Sequence, residues 1–134
     1  MVVAADDATF AFTEARLGLA PAVISLTTRD RMTDRAAALL YLSGETFDAA
    51  EAARIGLVTR AVPAGDLEQE VGAVLASITR ATPQGLRETK ALLTAALLAD
   101  IDRRGDELAA TSARLFGSEE AREAMLAFLE KRKR

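Results

Sequence analysis

The chain has 134 residues, half of them hydrophobic, a formal net charge of −3, and neither cysteine nor histidine. That length admits one domain or a piece of a larger one, and the missing residue types exclude disulfides, Ser-His-Asp and Cys-His nucleophiles and the commonest zinc ligand. The mildly acidic balance argues against a protein held on nucleic acid by bulk charge, so any chemistry rests on carboxylates, Lys, Arg, hydroxyls or backbone N–H groups.

The apolar register is already running at Val2-Val3-Ala4-Ala5, where domains ordinarily open with a few loosely held polar residues. From Ala8 to Thr13 the pattern alternates with Phe10 and Phe12 on one face, which predicts a short strand. If the extended backbone runs one residue further, Glu14 shares that face. Leu17-Gly18-Leu19-Ala20-Pro21 then makes a turn, because Gly18 tolerates positive φ and Pro21 cannot continue a ladder. Helices are predicted over Ala22 to about Arg31 and over Asp34 to Ser43, the second capped by Thr33 and closed by Gly44. In TFDAAEAARIG, Asp48 takes the N-cap position, Glu51 falls three residues later as in a capping box, and Gly56 supplies the stop. Leu57 to Val62 follows as a brief strand.

Leu67, Val71, Val74, Leu75 and Ile78 recur at spacings of three and four, one helical stripe. Thr82-Pro83 opens the next helix, which carries Leu86, Leu92, Leu93 and Leu97, with Pro83 at the first helical position where its missing N–H costs nothing. A separate helix is predicted from about Ile101 to Leu115, stopped by Gly117. Ser118 with Glu119 and Glu120 caps a last one, striped by Ala121, Ala124, Met125, Phe128 and Leu129. No stretch has the length of a membrane span or the layout of a signal peptide, so the expected location is cytoplasmic. Two strands so far apart cannot form an independent sheet of useful size, and the opening strand is expected to take partner strands from elsewhere.

Three blocks carry a resemblance: AADDATFAFTEARLGLAP, then LSGETFDAAEAARIGLVTRAVP, then SEEAREAMLAFLEKRKR. In this order they resemble the enoyl-coenzyme A hydratase/isomerase, or crotonase, family. The likeness runs from about Val2 to the C-terminus and is most specific from Ser43-Gly44-Glu45 to Gly56-Leu57-Val58. Members are about twice this length, so the resemblance implies an α/β chain of the crotonase (ClpP-like) fold, its C-terminal half only: one or two short strands, then a mostly α-helical, trimerisation-type region. On that reading residues 1–64 are the remnant of the core and residues 65–134 the helical region. The absent half would hold both backbone N–H groups of the oxyanion hole and the first catalytic acid of hydratases. The chain is then expected to be a truncated product, inactive alone.

The resemblance further implies chemistry on acyl-CoA or enoyl-CoA thioesters through an enolate, with no separate cofactor because the substrate carries coenzyme A. Glu14 stands at the position of the second catalytic glutamate, in TEARLG where the family commonly has P-E-x-x-L-G. A carboxyl beside Phe10 and Phe12 would be partly desolvated, as suits a general acid giving its proton to carbon. The plainer alternative is a surface Glu paired with Arg16. Thr13 departs from the usual Pro, and APAVISL replaces a glycine-rich turn, as in a subset that includes methylglutaconyl-type hydratases. Phe128 and Lys131 match positions that reach the adenine and phosphate of coenzyme A, although basic residues ending a helix also complement its dipole. Expected partners are the thioester and either further copies of the chain (a trimer or hexamer) or the missing N-terminal half, with no nucleic acid, membrane or metal. A non-catalytic interaction module derived from the family is the alternative. The KRKR ending is a weak nucleic-acid signal on an acidic chain.

Overall fold

The structure, a computed structural model, describes residues 1–132; Lys133 and Arg134, the end of the basic tail, lie outside the described residues. Among the described residues, four short strands and six helices follow one another: β1 (Val3–Ala5), β2 (Thr9–Phe10), α1 (Ala22–Thr28), α2 (Asp34–Ser43), β3 (Phe47–Asp48), α3 (Ala49–Arg54), β4 (Arg60–Val62), α4 (Leu67–Ile78), α5 (Pro83–Phe116) and α6 (Glu119–Arg132). A 3-10 turn at Glu14–Leu17 joins β2 to the first helical segment.

The strands form two separate pairs. β1 runs parallel to β4 with Val3 opposite Arg60 and Ala5 opposite Val62, and β2 runs antiparallel to β3 with Phe10 opposite Phe47. This corrects two expectations. The opening strand does find a partner within the chain, and the predicted strand over Ala8 to Thr13 shrinks to two residues because Thr13 turns helical (φ −85°, ψ 0°). β1 carries no alternation in three residues and pairs with a strand some sixty positions away, so no local pattern announces it.

Helix starts follow local chemistry. The Thr33, Asp48, Thr82 and Ser118 side chains each accept from the backbone N–H three residues on, the Asp48 bond being 2.7 Å. Only half of the expected capping box forms: Glu51 turns away from Asp48 and takes both its hydrogen bonds, at 2.6 Å, from Arg54. α2 ends as expected on Gly44, left-handed at φ 61°. The two helices expected between Pro83 and Leu115 are a single 34-residue rod. Nothing between Leu98 and Ile101 breaks a helix, and Gly105 inside it only lowers propensity.

One apolar cluster holds the molecule together: Ala4, Phe12, Met32, Ala37, Leu40, Phe47, Ala49, Ala52, Ile55 and Val58. Phe47 stacks on both Phe10 and Phe12, at 5.7 and 6.2 Å between ring centroids, and Tyr41 meets Phe12 edge-on at 4.8 Å. Burying a Phe or Leu side chain fully stabilises by roughly 1.5–3 kcal/mol. α4 and α5 bury no residue, and beyond Val58 the buried set among the described residues adds only Ala121 of α6, so large side chains contribute this term only in the first half of the chain. α5 packs on α1 through its middle, where Ala96 and Ala99 share a cleft with Ser25 of α1 and with Arg29 just after it. Of the residues in the predicted apolar stripes, Leu75, Leu92 and Leu93 are more than half exposed.

Candidate active site

Glu14 begins where β2's chain leaves extended geometry. Phe12, 5 % exposed, is anchored in the core, and two residues later the backbone coils into the 3-10 turn, so Glu14 does not continue the face of Phe10 and Phe12 as expected. Its side chain is half-buried. The turn is closed by Gly18 in the left-handed region (φ 69°), and the Leu19 N–H donates to the Glu14 carbonyl oxygen at 2.9 Å.

Arg16, considered above as an ionic partner for Glu14, is engaged elsewhere: its Nε–H donates to the Ser43 carbonyl oxygen at 2.7 Å. That carbonyl belongs to the last turn of α2, where backbone oxygens lack helical partners and a cation complements the dipole. On the other side, Gly18 lies against the backbone of Ala121, which is fully buried in the first turn of α6.

Behind the turn, the Tyr41 hydroxyl and Thr28 Oγ1 are 2.6 Å apart, and Thr28 also donates or shares toward the Ile24 carbonyl oxygen at 2.8 Å. Burial pushes the Tyr41 phenol above its ordinary value of 10.0; the Thr28 hydrogen bond works in the opposite direction, and the negative charge of Glu14 raises it further.

A cleft of about 680 Å³ is lined by Phe10, Phe12, Ile24, Thr28, Arg31 and Val58 among others; Glu14 is not part of its wall. Phe128 and Lys131, placed by sequence beside a cofactor-like moiety, lie about 10 and 15 Å further along α6 than Ala121 at 1.5 Å per residue. Phe128 is 48 % exposed and Lys131 is exposed, so the structure brings the first turn of α6 to the Glu14 turn but does not bring these two side chains into the same pocket. No helix among the described residues is long and apolar enough to cross a membrane.

A half-buried carboxyl on a braced turn is a group of the kind that exchanges protons; it cannot by itself stabilise an oxyanion. Comparison with known proteins narrows this. The sequence matches the family described as enoyl-CoA hydratase/isomerase over residues 1–134. It is 33 % identical over 133 residues to the crotonyl-CoA hydratase of Syntrophomonas wolfei, covering 98 % of this chain and 51 % of that protein. The fold is similar to an enoyl-CoA hydratase of Mycobacterium avium (53 % identity, TM-score 0.92, 96 % of this chain and 51 % of that one). It is also similar to a carnitinyl-CoA hydratase of the same species (27 % identity, TM-score 0.86, 98 % and 52 %). The chain spans about half the length of the curated relatives it matches.

Proposed function

The chain belongs to the enoyl-CoA hydratase/isomerase family, and from that membership we propose that it supplies the proton-donating half of a catalytic unit acting on acyl-CoA thioesters. In this reading the chain corresponds to the C-terminal half of the crotonase unit, residues 1–64 lying in its core and residues 65–134 forming the helical region. Glu14 is the proton donor. When water adds to the β carbon of an enoyl thioester, the π electrons move onto the thioester oxygen as an enolate; collapse of that enolate takes the Glu14 proton onto the α carbon, leaving a carboxylate. The proton released by the water goes to an acid–base group on the complementary half, which also provides the two backbone N–H groups that hold the oxyanion. Removing one such donor from comparable sites costs roughly 3–4 kcal/mol, so the chain alone is inactive. No cofactor beyond the coenzyme A of the substrate takes part. The choice between hydration and double-bond isomerisation rests with the complementary half.

The observation that carries this reading is the bracing of the Glu14 turn, by Arg16 against α2 and by Gly18 against α6, in a chain half the length of its relatives. Phe128 and Lys131 are proposed to contact the coenzyme A moiety once the unit is assembled. The test combines the chain with the part of the Mycobacterium avium enoyl-CoA hydratase that it does not cover and follows solvent deuterium entering the α carbon of the product. Glu14→Gln is expected to lower that incorporation by about 10²–10⁴-fold; unchanged incorporation refutes the assignment.

A second reading, a non-catalytic interaction module, is favoured by one observation. Leu92 and Leu93 of α5 are 80 % and 77 % exposed, and Leu126, Phe128 and Leu129 of α6 are about half exposed. Such residues support association of copies into a trimer or hexamer, which is compatible with the catalytic reading as well. Chain that associates but shows no Glu14-dependent chemistry with any complementary half would favour the module.

A further inference from the structure

The Glu14 turn is gripped from both sides at glycines, and the grips differ in kind. At α2 the grip is a side chain. Arg16 lies across Gly44, where an added β carbon would stand 3.0 Å from each of its Cγ, Cδ and Nε atoms, and its Nε–H reaches the Ser43 carbonyl oxygen. At α6 the grip is backbone on backbone: a β carbon on Gly18 would stand 3.1 Å from the Ala121 nitrogen and 3.2 Å from its Cα. The second contact cannot adjust without moving a helix. The first is one hydrogen bond from a flexible stem, and Arg16 is the only side chain of the turn that makes one to α2 among the described residues.

We propose that Arg16 is a positioning residue for Glu14: its bond across Gly44 to the Ser43 carbonyl sets the angle at which the 3-10 turn presents the Glu14 carboxyl. The inference rests on the proton-donor reading for its functional consequence, not for its geometry. A reacting group held about 1 Å out of place can lose on the order of 10²-fold in rate, and the turn has no other side-chain tether on that flank. Gly44 is part of the device. Its left-handed backbone closes α2, and its missing side chain opens the groove in which the Arg16 stem lies.

Two readouts separate the clamp from the catalytic assignment. In the full chain, hydrogen exchange at the Leu19 amide, which bonds the Glu14 carbonyl, is expected to quicken at least about tenfold in Arg16→Met, with the core amide of Ile55, just past the end of α3, unchanged. Arg16→Lys, which keeps a donor on a similar stem, is expected to restore much of the protection. Unchanged exchange at Leu19, or a uniform rise across the core, overturns the clamp. In the chain combined with its complementary half, Arg16→Met is expected to lower kcat about tenfold or more at unchanged KM, with partial rescue by Arg16→Lys; a pure KM effect overturns the positioning role. If Glu14→Gln leaves turnover intact, the proton-donor reading fails, and the exchange experiment still decides the clamp.

Discussion

Gly56 leaves no room for a β carbon: one placed there would stand 2.4 Å from the Arg31 carbonyl oxygen, at a φ of +94° that side chains rarely adopt. Gly56→Ala combines backbone strain with a clash against main chain, and a loss of roughly 3 kcal/mol is expected in urea unfolding. Sequence reading found this glycine as a helix stop but had no means of seeing Arg31 behind it. Tyr41 offers a cleaner residue-level test, because it is the only tyrosine and there is no tryptophan. Burial favours its neutral form in the fold, so its contribution to stability is fully present below the unfolded value of 10.0 and is lost as pH rises through the raised folded value. Absorbance titration of tyrosinate is expected to show a higher midpoint in the native chain than in urea, and Tyr41→Phe should remove part of the alkaline loss of stability. A native midpoint at or below the unfolded one contradicts the burial account. Glu14 itself was legible only through the family motif. The short alternation around Phe10 and Phe12 predicted a strand face for it, whereas Thr13 turns the chain first.

At the level of elements, what the sequence made readable is what hydrogen bonds decide locally. Thr33, Asp48, Thr82 and Ser118 were identified as caps because the bond that makes a cap spans three residues. Asp48→Ala is expected to cost about 1 kcal/mol, read as a lower unfolding midpoint, and Asp48→Asn to cost much less. The strands were poorly readable because their length is two or three residues and their pairing is remote. The boundary expected at Ile101 is absent from α5: the change there from a leucine-rich to a charge-rich stretch contains no helix breaker. Gly105 lies inside that rod with nothing nearer to a β carbon than the Ile101 Cγ2 at 3.9 Å. Gly105→Ala is therefore expected to stabilise α5 by about 0.5–1 kcal/mol, seen as helical signal persisting to higher temperature; a loss would mean that α5 meets a neighbour there.

Over the whole molecule, the buried cluster ends at Val58, while α4 to α6 leave Leu75, Leu92, Leu93, Leu126 and Leu129 exposed. The hydrophobic spacing in those helices was readable, but spacing reports which face is apolar, not what covers it. A rod about 50 Å long that buries no residue of its own gains little from the cluster that holds the strands. Association is the expected remedy. Sedimentation velocity should show a concentration-dependent rise in mass, abolished by Leu92→Glu with Leu93→Glu, and a compact monomer at high concentration would contradict it. In the proposed reading the chemistry is likewise shared: Glu14 supplies the proton and a complementary half the oxyanion donors. The most direct measurement is hydration of crotonyl-CoA by the chain alone and after combination with the uncovered part of the Mycobacterium avium enoyl-CoA hydratase. The account predicts negligible turnover in the first case and Glu14-dependent turnover in the second; brisk hydration by the chain alone, or turnover in the combination that survives Glu14→Gln, would contradict it.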